Sequence, residues 1–291
     1  MKTMTRTVYG SALQAAKYLG IPHVIVPKTT LNEKFNIQAT MMPNPGETPA
    51  NNLYVIGNGG HRVIIGAGEI PYTDPIDHDA SHAALYKHIP FVVRFAENDL
   101  TLEQRKLYGL REEMVLEGRK CFVYWAKWLN VKDTKVAMEK TVDGVTVPFI
   151  PNSDNLNPTP PSIPNTGTTQ TTNAYLAVSA PVTIEFTAFD VAELQNACKI
   201  MFGNEQLAIV SELGIVSSIP RPVTIKTTGG ASVQFTEAVC AQVGAIISAY
   251  HNTSENSEGF IKELELGEAE PLITGLRQNV MRAPLAPVGA I

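Results

Sequence analysis

Residues 147–172, VPFIPNSDNLNPTPPSIPNTGTTQTT, constrain the fold of this chain more than any other stretch. Six prolines lie between Pro148 and Pro164, and Thr, Asn and Ser fill most of the remaining positions. Proline lacks a backbone N–H and shifts the preceding residue toward extended geometry, so the stretch cannot continue a helix or a central strand. A segment this polar buries little apolar surface of its own, so we expect the rest of the chain or neighbouring chains to hold it. This favours a component of a larger assembly over a free enzyme.

The composition is typical of a protein with short strands and long ordered loops. The chain has 291 residues, enough for one large domain or two ordinary ones. Hydrophobic residues make up 44% of it, which is enough for a core, and charged residues make up only 18%. Because 20 prolines and 21 glycines break the chain often, we expect few helices.

These patterns predict a strand-dominated α+β fold with two lobes, a Pro/Thr/Asn-rich connector and extended termini. The closing residues APLAPVGAI favour an extended arm, because their prolines and glycine oppose regular structure. The predicted divisions are an N-terminal α+β lobe over 1–147, the connector over 148–173, a C-terminal α+β lobe over 174–258 and a C-terminal arm over 259–291.

Local signals place two helices and two hairpins. Thr101 and Gln104 have capping-box spacing, which predicts a helix over 101–110. Asp190 is a favourable N-cap for a helix over 191–201, and Gly203 is a favourable end for it.

The hairpins are predicted from turn residues between strand-like runs. Asp143–Gly144 is a strong turn dipeptide within 136–147. The glycine-rich GNGGH separates the runs 53–56 and 62–65, so we expect these two runs to pair with each other.

Charge and cysteine content exclude several classes of partner. The net charge is −5 and no run of Lys or Arg is present, so we expect no nucleic-acid binding. No stretch approaches 18 uninterrupted apolar residues, so we expect no membrane span. The three cysteines, Cys121, Cys198 and Cys240, are odd in number and widely spaced in apolar surroundings, which predicts buried free thiols.

The histidine-rich stretch DPIDHDASHAALYKH is the strongest candidate for a metal site. His78 and His82 are four residues apart and would share one face of a helix, as zinc binding requires. However, Asp79 stands where the metalloprotease motif has Glu, and no third ligand follows at a suitable spacing. A solvated loop or helix start explains the same residues, so we expect no metal and no cofactor. A metal-dependent hydrolase remains an alternative.

No sequence motif predicts catalysis. The G-x-S-x-G elbow of serine hydrolases is absent. The glycines of GNGGHRVIIGAG lie before and after a strand, whereas a dinucleotide fingerprint requires them between a strand and a helix. We therefore expect a protein that is not an enzyme.

The aromatic run FVYWAKW, residues 122–128, has three interpretations. Both faces of such a strand are apolar, which favours packing in a core. A subunit interface and a carbohydrate-stacking platform are the alternatives, and both would use Trp125 and Trp128.

Three stretches resemble virion structural proteins of large contractile-tailed bacteriophages, some of which are assigned to the tail or baseplate. They are IPFVVRFAENDLTLEQRKLYGLREE (89–113), NPTPPSIPNTGTT (157–169) and GNEQLAIVSELGIVSS (203–218). The resemblance implies a non-enzymatic virion protein, assembled in the host cytoplasm, with several copies around a symmetry axis and other tail proteins as partners.

We therefore expect a structural subunit of a phage tail, in the baseplate wedge or an adjoining ring. The alternatives are a neck or connector protein and a carbohydrate-binding or decoration module of a virion. The residues predicted to form interfaces are Asn157, Pro160, Pro161, Pro164, Trp125, Trp128, Pro284, Pro287 and Ile291.

Overall fold

A computed structural model describes residues 3–59, 62–65, 68–71, 76–131, 134–159, 174–226, 232–253 and 258–272. Within them the chain is strand-dominated α+β, which confirms the predicted fold class. No helix of these ranges is long and apolar enough to cross a membrane.

The first part of the chain holds eight strands and three helices. In order they are β1 (Thr3–Arg6), α1 (Val8–Leu19), α2 (Leu31–Lys34), β2 (Ala50–Gly57), β3 (Arg62–Ile65), β4 (Gly68–Pro71), β5 (His88–Ile89), β6 (Val92–Phe95), α3 (Leu102–Arg105), β7 (Tyr108–Leu116) and β8 (Arg119–Trp128). The remaining elements are β9 (Ala137–Val142), β10 (Val145–Pro148), α4 (Ser153–Leu156), β11 (Tyr175–Thr187), α5 (Ala188–Phe202), β12 (Ile209–Lys226), β13 (Ser232–Asn252) and β14 (Gly259–Pro271).

Residue contacts divide the chain into two compact units. The first comprises Met1–Val131 and Thr183–Lys262, and the second comprises Lys132–Val182 and Glu263–Ile291. This grouping differs from the predicted boundaries at 148, 174 and 259, because strand pairing joins segments that are distant in the chain. Most of the predicted connector and most of the predicted arm lie outside the described residues.

The first unit is organised around one eight-stranded antiparallel sheet. Its main order is β1-β13-β12-β2-β8-β6, with β5 added beside β2 and β7 beside β8. The long β12–β13 hairpin forms its centre and contains three register shifts. Helix α1 lies close against β13 at Gly10, where an added Cβ would come within 2.2 Å of the Gly244 carbonyl oxygen.

The expected hairpin between the runs 53–56 and 62–65 is wrong. Strand β2 pairs with β12, β8 and β5, and β3 pairs with β4. The reason is that β2 is buried along Leu53–Gly57 and pairs with the longer strands β12 and β8, which come from distant parts of the chain. Two residues of the predicted turn, 60 and 61, lie outside the described residues.

The two predicted helices are confirmed in place, and one of them is shorter than expected. The Thr101–Gln104 capping box forms, but helix α3 ends at Arg105 because Tyr108 begins a strand paired with β8. The predicted N-cap Asp190 is wrong, because helix α5 begins earlier, at Ala188, with Thr187 as N-cap. Asp190 lies inside the first turn, as the N3 residue of the capping box.

The aromatic run, residues 122–128, packs in the core of the first unit. The Trp125 ring stacks on Phe35 with ring centroids 4.2 Å apart, and its indole N–H donates to Glu112 Oε2 at 2.8 Å. Trp125 is 8% exposed, whereas Trp128 is half-buried.

The three cysteines are free and buried, as predicted. Burial raises the pKa of the Cys198 thiol to about 12. Because the thiolate is the reactive form, this thiol is inert at neutral pH.

Candidate functional site

The sheet of the second unit separates apolar from polar side chains. Its four strands lie in the order β10-β9-β11-β14, and the second unit contains the 175–182 part of β11 and the 263–271 part of β14. Residues directly opposite each other in antiparallel strands share a face. Val145 lies opposite Val142, Val147 lies opposite Lys140, and Val178 lies opposite Met138. We define the apolar face as Met138, Val142, Val145, Val147, Leu176 and Val178, with Lys140 as the charged residue among them on the same side.

We call the opposite face the polar face, because it carries hydroxyl and carboxyl groups, although Ala137, Tyr175 and Ala177 lie on the same side. The hydroxyls of Thr141 and Thr146 are hydrogen-bonded to each other at 2.8 Å. Glu139 and Ser179 lie on the same side by strand register. The hairpin around Asp143–Gly144 is confirmed, and its tight turn sets this register.

The apolar face is exposed. Val145 is 66% exposed, Val147 48%, Met138 44% and Val178 41%. A sheet with one apolar face normally buries that face against another layer. Among the described residues of the second unit, the only helix is the single turn α4, and its Leu156 is itself 84% exposed. The face therefore has the character of a protein interaction surface.

The described end strands of this sheet differ in chemistry. Strand β10 is exposed along its length and ends at Pro148, which has no N–H to donate. Strand β14 carries Glu263, Glu265, Glu268 and Glu270 within eight residues. Charged and proline-containing edges resist unspecific edge-to-edge pairing. The apolar face, rather than either edge, is thus the surface better suited to a specific contact.

The predicted interface residues occupy different environments. Trp125 lies inside the first unit, so its ring is not available for stacking on a sugar. Asn157 is exposed just after α4, where its side-chain amide donates to the Ser153 carbonyl at 3.1 Å. Six predicted interface residues lie outside the described residues: Pro160, Pro161, Pro164, Pro284, Pro287 and Ile291.

The histidine-rich stretch is a loop of the first unit fixed to β12. His78 Nε2 lies 2.8 Å from Glu212 Oε2, and His78 Nδ1 lies 3.0 Å from His82 Nδ1. The Glu212 carboxylate also accepts hydrogen bonds from the backbone N–H groups of Tyr86 and Lys87. Glu212 and the His78 ring are almost completely buried, so a solvated loop is the wrong interpretation for His78.

The second histidine of this cluster is also held by the backbone. His82 Nδ1 accepts from the Asp79 N–H at 3.2 Å, which fixes the His82 ring beside His78.

This arrangement stabilises the loop and does not resemble a metal site. Both ring nitrogens of His78 are used in hydrogen bonds. Across the described ranges no group of three or more His, Cys, Asp or Glu side chains is placed to hold a metal ion. Sequence analysis missed Glu212, although a single charged residue within the apolar run 207–219 was a signal for a buried carboxylate.

His88, at the end of this loop, predicts a pH dependence of stability. Its Nε2 accepts the Leu85 N–H at 3.0 Å, and burial, with the nearby Lys34 and His78 charges, lowers its pKa to about 3. An unfolded histidine titrates near 6.5. Since the folded state resists protonation, stability is complete above pH 6.5 and falls as the pH drops toward 3, by up to about 1.4 kcal/mol per pH unit.

We expect His88→Gln to remove about 2–3 kcal/mol of this loss between pH 6.5 and 4.5. Urea unfolding of both proteins at several pH values measures it. The wild type should become less stable faster than the variant as the pH falls. If the unfolding free energies of the two proteins fall in parallel with pH, the burial of a neutral His88 is contradicted.

The fold and the apolar face together define a class: a strand-dominated α+β protein whose four-stranded sheet exposes apolar side chains on one face. The family DUF7208, described as a family of unknown function, matches residues 1–280, and the chain belongs to this family. No curated protein matches the chain, and no solved structure matches it.

Proposed function

We propose that this protein is a structural subunit of a contractile phage tail, placed in the baseplate wedge or an adjoining ring, and that it acts by assembly rather than catalysis. The observation that carries the proposal is the exposed apolar face of the second sheet. The three stretches that resemble contractile-tail virion proteins supply the kind of assembly. A neck position would use the same surface and remains the alternative within the tail.

The size of the face suits an assembly with several contacts. Fully burying a large aliphatic side chain contributes about 1.5–3 kcal/mol. The four most exposed members are already about half buried, so covering them contributes roughly 3–6 kcal/mol in total. Association costs on the order of 4–15 kcal/mol of translational and rotational freedom. One such contact is therefore weak alone and becomes strong when a closed ring repeats it.

A second copy of this chain is the partner that we assign to this face. In a ring each subunit meets identical neighbours, so one exposed face can be covered at every position. A carbohydrate ligand is less favoured, because Trp125 is buried and the exposed members of the face are aliphatic rather than aromatic.

Val147→Glu tests the proposal. We expect the wild type to self-associate with increasing concentration. The variant should associate at least about tenfold more weakly, because docking would bury a carboxylate whose desolvation its cross-strand neighbour Lys140 offsets only in part. Sedimentation velocity over a concentration series measures this. Unfolding free energy should change little, because the side chain is exposed in the single chain.

Thr146→Glu is the matched control. It places the same charge on the same strand, but on the polar face. Equal weakening by both variants would show that charge on β10, rather than the apolar face, controls association. A wild type that stays monomeric and is absent from tail assemblies would refute the proposed function.

A further inference from the structure

We propose that the apolar face of the second sheet is the docking site for residues 273–291 of a second copy of the chain. The inference rests on the proposed assembly function and names the segment that covers the face. It identifies the surface that accepts the C-terminal segment, and the sequence alone could not locate that surface.

The composition of residues 273–291 suits docking on an apolar surface. Residues 273–291, ITGLRQNVMRAPLAPVGAI, include seven large apolar side chains, two arginines and no acidic residue. The apolar residues can replace water over the exposed valines and methionine of the face. The sequence before this segment is its electrostatic opposite, because β14 carries four glutamates. The positive segment and the acidic strand β14 are therefore complementary in charge, whereas Lys140 is a basic residue of the face itself.

Proline positions favour docking on the face over addition to an edge. Pro284 and Pro287 have no N–H groups, so the segment cannot supply a continuous ladder of hydrogen bonds to an edge strand. The segment can still supply apolar contacts through Leu285, Val288 and Ile291. The face offers such contacts without requiring backbone pairing.

The reach of the segment allows it to cross to another copy. The chain leaves the sheet at Leu272, whose N–H donates to the Ala174 carbonyl at 2.9 Å, next to the start of β11. Nineteen extended residues span up to about 60 Å, and the width of four strands is roughly 15–20 Å. Val145 is 66% exposed, so the face can accept an occupant, and the proposed ring supplies a neighbouring copy to provide it.

Cysteine cross-linking in the full-length protein tests the inference. We mix two single variants, Val147→Cys and Leu285→Cys, and oxidise them mildly. Disulfides form only when the two Cα atoms approach within about 7 Å, so we expect a cross-linked dimer at least about fivefold above the yield from the control mixture. That control pairs Thr146→Cys, on the polar face, with Leu285→Cys. The three native cysteines are buried and contribute little.

Each outcome decides the question. A selective 147–285 dimer supports docking between copies, and a second pair, Val145→Cys with Leu285→Cys, should reproduce it. If the double variant Val147→Cys/Leu285→Cys closes only within one chain, or if both mixtures cross-link equally, the inference is overturned. If cross-linking fails while Val147→Glu still weakens self-association, the segment is excluded as the occupant and the proposed assembly function stands. If neither experiment shows an effect, both proposals fail.

Discussion

Replacing Glu212 by alanine is expected to lower the free energy of unfolding by about 3–5 kcal/mol, because it breaks a buried charged network. The carboxylate is 1% exposed and accepts hydrogen bonds from the His78 ring and from two backbone N–H groups at Tyr86 and Lys87. The variant leaves all of these donors buried without their acceptor. Urea unfolding followed by circular dichroism gives the loss.

Glu103→Ala is the matched control for Glu212. It removes a carboxylate that is 82% exposed and paired only with Lys106, so we expect a loss below about 1 kcal/mol. Glu212→Gln keeps the shape and one acceptor oxygen, and should fall between the two. A loss for Glu212→Ala no greater than that for Glu103→Ala would show that the His78 loop is not fixed by this carboxylate.

Gly59 provides an independent check on the same packing. An added Cβ would lie within 1.8 Å of Glu212 Oε1, so the loop and the carboxylate occupy space that a side chain would need. A glycine at this position is therefore explained by close approach to a buried side chain rather than by phosphate binding.

Asp190→Ala is expected to have the second large effect, a loss of about 3–5 kcal/mol in the free energy of unfolding. Asp190 is 1% exposed and accepts hydrogen bonds from the Tyr108 hydroxyl, the Lys127 ammonium, and the N–H and hydroxyl of Thr187. It therefore joins the first turn of α5 to strands β7 and β8. Burial and the Asp190 charge raise the pKa of the Tyr108 hydroxyl well above its usual value, so the hydroxyl remains a donor.

Glu205→Ala is the control for Asp190. Glu205 is exposed and lies 3.9 Å from Lys199, so its loss should be small. Asp190→Asn keeps one acceptor oxygen and the capping geometry, and should be less harmful than alanine. Comparable losses for Asp190→Ala and Glu205→Ala would show that the buried network does not stabilise α5. Both carboxylate tests concern the first unit, so they separate stability from the association tests on the second sheet.

Sequence patterns predicted the short-range features of this protein well. The Thr101–Gln104 capping box, the Asp143–Gly144 turn and the Gly203 end of α5 all form. Each depends on hydrogen bonds and backbone angles within about four residues. Helix 101–110 was too long because the pairing of β7 with β8 overrides local helix propensity from Tyr108 onward.

Sequence patterns could not place the aromatic run or the histidine-rich stretch. Trp125 was one of several possible interface residues, and only the packing of its ring on Phe35 assigns it to the core. His78 had no third partner in sequence, because Glu212 comes from a strand 134 residues away.

The sequence by itself determined the caps, the turns, the strand-rich composition and the alternation of apolar and polar residues in 137–148. Only the tertiary structure decided that this hairpin joins β11 and β14 in one sheet, that the valines and Met138 on its apolar side are exposed, and that Glu212 reaches His78. The physical reason is the sequence separation between the residues that interact. Caps and turns are set by neighbouring residues, whereas strand partners and buried charges are selected by the total burial and hydrogen bonding of segments far apart in the chain.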